Sequence, residues 1–182
     1  MNNLVAKLKK LKSLGASAVK QSLEDEGASF DDIKKMKNLT KRVGLDLNVK
    51  IGGCEAKNDI FFCKRTGVSG IVSPMVESKY ALNKFIQTVK IDKKTSLYIN
   101  LESELAFKNI REIVNSKHFK YLKGIVIGRS DLAGSLGLTK KEVDSKKIYK
   151  KVLSVLKSVK KKRKNAVCKM GGSLTYKSKN FI

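Results

Sequence analysis

The segment "LDLNVKI", residues 45–51, decides between two folds. Leu45, Leu47, Val49 and Ile51 alternate with Asp46, Asn48 and Lys50, so a strand here has one apolar face and one polar face. An open parallel sheet covered by helices on both sides gives near-continuous apolar runs instead. A polar second face suits the inside of a barrel, whose C-terminal rim carries the functional groups. "SLYINLE" (96–102) repeats the pattern, with Leu97, Ile99 and Leu101 set against Tyr98, Asn100 and Glu102. Together the two segments point Lys50, Asn100 and Glu102 into one space, with Glu102 at its mouth.

Further strands are read at 69–75, 123–128 and 165–170, with a weaker one at 17–24. Helical stripes lie between them: Ile33, Met36, Leu39 and Val43, then Ala81, Leu82, Phe85, Ile86 and Val89. Ile110, Ile113 and Val114 form a third, and Ile148, Val152, Val155, Leu156 and Val159 the longest. Ser29, Ser78, Ser103 and Ser145 stand where N-caps are wanted, and Gly44 where a helix ends. Pro74, the single proline, falls at a strand end, where it removes no ladder bond. Alternating strands and helices give a parallel sheet with right-handed crossovers. The expectation is an α/β, (β/α)8 TIM-barrel-like fold, incomplete with about six β/α units, in a single domain over residues 1–182. A closed eight-stranded barrel takes roughly 200 residues or more. The chain stops at "GGSLTYKSKNFI" and is therefore expected to lack the last strands and leave edges exposed, either as a truncated product or with dimerisation filling the gap.

The formal charge of +24 raises the question of a polyanionic partner. Of the 40 basic residues only Arg42, Arg65, Arg111, Arg129 and Arg163 are arginine, the type suited to bidentate phosphate and base recognition. The lysines scatter along every expected helix, so the charge reads as solvated faces, and nucleic acid is not the expected partner. "KKKRK" (160–164) reads as the cationic last turn of a helix. Leu4, Leu8 and Leu11 make a stripe expected to pack on the domain rather than on a membrane. No apolar run reaches the roughly 20 residues that span a bilayer. Cys54, Cys63 and Cys168 lack zinc-site spacing, and a reduced, cytoplasmic protein is expected.

The strand ends carry the chemistry. "LEDEG" offers Glu24, Asp25 and Glu26; "KIGGCEA" offers Lys50 and two glycines; the fourth strand ends in Glu102 and the fifth in "GRSD". Glu102 and Asp131 end neighbouring parallel strands, where two carboxylates can share a hard divalent cation completed by water and substrate oxygens.

"IVIGRSDLAGSLGL" (125–138) resembles the GxxDLxxSLG signature of the HpcH/HpaI aldolase and citrate lyase β-subunit superfamily. "GIVSPMVES", "INLESELAFKNIREI" and "VKIGGCEAKND" are similar to further blocks, and the likeness runs from about Ala18 onward. The resemblance implies a metal-dependent class II enzyme on a (β/α)8 barrel. Such an enzyme makes or breaks a carbon–carbon bond through the enolate of a 2-oxo acid or acyl-CoA, with CoA then part of the substrate. It implies Mg²⁺ or Mn²⁺ on Glu102 and Asp131, and a substrate carboxylate on the backbone N–H groups of Gly128, Arg129, Ser130 and Asp131. The family's strand arginine falls on Lys50, which supplies charge without the planar fork. Its catalytic histidine falls near Glu26, a candidate base, while the single histidine, His118, belongs to a surface helix end. A homo-oligomer acting on a small molecule is expected. The alternative is a catalytically degenerate or truncated barrel that binds acidic partners through its basic surface.

Overall fold

A computed structural model describes residues 2–171; the terminal segment "GSLTYKSKNFI" (172–182) lies outside the described residues. Six strands, β1 (Ala18–Ser22), β2 (Asp46–Lys50), β3 (Gly70–Ser73), β4 (Ser96–Leu101), β5 (Gly124–Gly128) and β6 (Val167–Gly171), form one sheet in chain order. Every pair is parallel. This is the curled half of a (β/α)8 barrel, and among the described residues β1 and β6 each have one neighbour.

Eight helices connect or precede the strands: α1 (Asn2–Ser13), α2 (Phe30–Val43), α3 (Lys57–Thr66), α4 (Lys79–Val89), α5 (Glu104–Lys108), α6 (Ile110–Asn115), α7 (Arg129–Ser135) and α8 (Lys146–Lys162). Ser29, Ser78, Ser103 and Ser145 accept N-terminal amides of α2, α4, α5 and α8. Gly44 closes α2 in the left-handed region at φ 68°. The stripe Ile110, Ile113 and Val114 is the buried face of α6, with the short α5 preceding it across Asn109. Neither α3 nor α7 announces itself by a stripe: α3 buries only Ile60 and Cys63, and α7 is a seven-residue helix that begins directly after the last residue of β5.

The alternation in β2 and β4 produces the two faces. Leu47, Val49, Ile51, Leu97, Ile99 and Leu101 are fully buried beneath the helices, together with Ile71, Ile125 and Ile127. Asn48, Lys50, Tyr98, Asn100 and Glu102 line the concave face and are buried as well. Small residues make room for them. A Cβ on Gly70 would stand 3.1 Å from the Tyr98 ring and inside the Asn48 amide. At Gly124 an added Cβ would lie 2.6 Å from the carbonyl carbon of Val167 on β6. That neighbour is backbone and cannot rotate away, so Gly124→Ala is expected to destabilise by about 3 kcal/mol, the upper end for overpacking. Chemical denaturation with a lowered midpoint and unchanged slope would register it.

The N-terminal helix packs on its own domain with a rotated stripe. Leu8 is buried against Leu39, Val43 and Leu45 with Val5 beside it, while Leu4 and Leu11 stay 39% and 50% exposed. Lys12 sets this rotation, its Nζ donating to the Val43 carbonyl at 2.8 Å and drawing the Val5–Leu8–Lys12 row inward. Residues 160–162 of the basic run form the last turn of α8. Arg163 donates to the carbonyls of Phe119 and Leu122, and Lys160 to that of Ala166 at 2.9 Å, so the run closes a helix end. All three cysteines are free. Among the described residues no helix is long and apolar enough to cross a membrane.

Candidate active site

The C-terminal ends of β1 to β5 converge on a cleft of about 480 Å³. Asp25 and Glu24 come from the turn after β1, and Lys50 and the Gly52–Gly53–Cys54 segment from β2. Pro74 and Met75 follow β3, Glu102 follows β4, and Asp131 sits in the first turn of α7 after β5.

Glu102 lies at the centre and is almost wholly buried. Its Oε1 accepts the Met75 backbone N–H at 3.0 Å and its Oε2 accepts Asn100 Nδ2 at 2.7 Å. Lys50 Nζ is 3.6 Å from Oε1. Gly128 permits this placement, because a Cβ there would stand 2.6 Å from Glu102 Oε2 and 2.7 Å from its Cβ. The exposed Asp131 carboxyl lies beside the Glu102 carboxyl in the same cleft. Burial pushes the Glu102 carboxyl up from its ordinary range. Contact with Asp131 adds to that push, against the opposing pull of the Met75 amide, Lys50 and Asn100.

Lys50 is buried and donates to Asp25. Burial alone would lower its pKa. The hydrogen bond to Asp25 and the charges of Glu102, Asp25 and Asp131 outweigh it and hold the ammonium above its usual value. Lys50 is therefore a fixed cation and not a free amine nucleophile. Cys54 receives the Ser73 hydroxyl at 3.4 Å, and burial pushes its thiol up, so it is not a thiolate at neutral pH.

Of the three acids in "LEDEG", the turn sends Asp25 to Lys50. Glu26 is half exposed, pairs with Lys20 at 3.0 Å and accepts the Ser22 N–H at 3.1 Å. With Asp25 N–H on Ser22 Oγ, Glu26 thus closes the turn that delivers Asp25. The Arg129 side chain does not face the cleft either. It is fully buried, on Asp144 Oδ1 at 2.5 Å and the Gly171 carbonyl at 3.3 Å, and of residues 128–131 it is Asp131 that lines the cleft. His118 precedes β5, at the opposite end of the strands from the rim, with Nδ1 2.6 Å from Asn83 Oδ1.

The donor set suits a hard dication. Two carboxyl groups side by side need a proton or a cation between them, and among the described residues no salt bridge from a lysine or arginine engages Asp131. No cluster of three or more acidic, histidine or cysteine ligands occurs among the described residues. The protein would supply two oxygens, with water and substrate filling the rest.

Solved structures share this fold at low identity. An HpcH/HpaI aldolase from Desulfitobacterium hafniense DCB-2 superposes with a TM-score of 0.80 at 13% identity, over 97% of this chain and 76% of that one. An HpcH/HpaI aldolase/citrate lyase family protein from Burkholderia cenocepacia J2315 gives 0.74 at 12%, over 91% and 75%. Protein CitE from Mycobacterium tuberculosis, solved with magnesium and acetoacetate, gives 0.54 at 16%, over 91% and 69%. Comparison with curated protein sequences returns no match. The sequence model described as HpcH/HpaI aldolase/citrate lyase matches residues 47–170, from inside β2 to the end of β6, spanning every strand end that builds the cleft except the turn after β1. The chain belongs to the HpcH/HpaI aldolase/citrate lyase family.

Proposed function

We propose that the protein is a divalent-metal-dependent carbon–carbon lyase or aldolase working through the enolate of a 2-oxo acid or acyl-CoA substrate. The observation that carries this reading is the placement of Glu102 beside Asp131 at the mouth of a cleft, in a chain of +24 where, among the described residues, Asp131 forms no salt bridge. Glu102 and Asp131 would hold Mg²⁺ or Mn²⁺. A dication so held supplies a Lewis acid for the developing enolate oxygen. Magnesium in the related Mycobacterium tuberculosis structure supports the same choice.

The chain's own groups do the rest. First-turn N–H groups of α7, which lack intrahelical acceptors, receive the substrate carboxylate beside Gly128. Lys50 adds a fixed positive charge on the other side of Glu102, where charge builds as the carbon acid ionises. Asp25, which lines the cleft and accepts from Lys50, would take a proton from the substrate. Glu26 holds the turn.

Exchange of methyl protons with D₂O, followed by proton NMR on pyruvate and on acetyl-CoA, tests the reading. Metal-dependent loss of one methyl signal is expected, and which substrate loses it names the class. If neither exchanges with Mg²⁺ or Mn²⁺, and binding to RNA is tight and salt-sensitive instead, the non-catalytic alternative takes over.

A further inference from the structure

We infer that Met75 is a positioning residue: its backbone amide, fixed in a left-handed conformation, aims the Glu102 carboxylate and keeps it available to a dication. The inference rests on the Glu102–Asp131 reading above.

Among the described residues two non-glycines have positive φ, Met75 at 47° and Lys90 at 50°. Lys90 ends α4, where a left-handed residue is ordinary. Met75 ends no helix, and a side chain with a β-carbon is strained there. Side-chain packing does not account for the conformation, because Met75 is 51% exposed on the wall of the cleft. The backbone accounts for it. Pro74 fixes the approach on one side, and on the other Val76 is fully buried, with its N–H on the Asn100 carbonyl at 3.2 Å. Between these anchors the left-handed turn directs the Met75 N–H at Glu102 Oε1, 3.0 Å away.

Glu102 is held at both oxygens by different strands: Met75 after β3 takes Oε1, and Asn100 on β4 takes Oε2. Two donors on two oxygens fix the plane of a carboxylate as one cannot. The competitor for Oε1 is Lys50, at 3.6 Å. Without the Met75 amide, Glu102 would close on that ammonium, and a full ion pair with lysine competes with a dication for the same lone pairs. The left-handed amide in the loop after β3 thus maintains a carboxylate that is buried beside a cation yet not consumed by it.

An ester in place of the 74–75 amide, made by incorporating the α-hydroxy analogue of methionine at position 75, deletes the N–H and keeps the side chain. Mn²⁺ titration calorimetry on the full chain is expected to give affinity weakened by about 10- to 100-fold, the usual cost of losing a group that orients a ligand. Met75→Gly keeps the N–H and removes the strain, so it should bind Mn²⁺ within about twofold of wild type and melt no lower. By NMR, the Met75 amide proton should sit downfield and move in Glu102→Gln, a change that general packing would not produce. An ester that binds Mn²⁺ like the wild type overturns the positioning role, as does a Met75 resonance that ignores Glu102→Gln. If Glu102→Gln itself binds Mn²⁺ normally, the reading of the site fails first and the inference falls with it.

Discussion

Glu102→Gln and Asp131→Asn are each expected to slow metal-dependent exchange of substrate methyl protons by about 100- to 1,000-fold, with the fold intact. A Lewis acid contributes several kcal/mol to a developing oxyanion, and each 1.4 kcal/mol is a factor of ten in rate. Glu102 and Asp131 are the two carboxylates assigned to the cation, so losing either leaves it on one of them. Stability should change little. Asp131 is exposed, and Glu102 already resists ionisation by burial, so a neutral isostere relieves a desolvation cost while giving up its interaction with Lys50. Thermal melting beside the exchange assay separates the two effects. Wild-type exchange in both variants would remove the site assignment, whereas lost exchange with a collapsed melting temperature would show damage to the fold instead. Raised Mn²⁺ should rescue Asp131→Asn more readily than Glu102→Gln, because Glu102 is the carboxylate the protein holds at both oxygens.

The barrel was legible because its two faces differ in chemistry. Residues that alternate as Leu47/Asn48/Val49/Lys50 and Leu101/Glu102 leave no register in which both faces are apolar, and the structure buries both, one under helices and one against itself. Helix starts were legible for a similar reason: a serine before an apolar stripe has few other uses at that spacing, and all four cap. Three features of the site were not. Which of Glu24, Asp25 and Glu26 faces Lys50 depends on hydrogen bonds of Ser22 within the turn, and three adjacent acids look alike in sequence. The left-handed backbone of Met75 belongs to a residue type that carries no signal for it. The inward course of Arg129 was hidden because "GRSD" reads as one polar cluster, although α7 begins there and divides it, with Arg129 buried and Asp131 exposed. A signal existed in part: Asp144 is an acid just ahead of Ser145, the N-cap of the longest helix, where a surface role was the simplest assumption.

That buried arginine carries the largest expected effect on stability. Arg129 has no exposed surface, and Asp144, its partner at 2.5 Å, is itself buried. Asp144→Asn removes the countercharge and leaves the guanidinium inside, and breaking a buried pair in this way costs about 3–5 kcal/mol. For a domain of this size that is a drop of roughly 6–20 °C in melting temperature. Arg129→Met should cost less than Asp144→Asn, since the Asp144 side chain keeps 7% of its surface exposed while the guanidinium keeps none. The double variant Arg129→Met/Asp144→Leu should recover much of the loss, because a well-packed apolar pair avoids desolvating two charges. If all three variants melt alike, the pair adds nothing beyond packing. The consequence reaches the cleft by a short path. Arg129 joins the start of α7 to Asp144 and to the Gly171 carbonyl at the end of β6, and Asp131 lies two residues further on the same helix. Asp144→Asn should therefore weaken Mn²⁺ binding even well below its melting temperature, whereas the recovered double variant should restore stability more fully than affinity, because apolar packing fills the space without fixing the direction of the first turn.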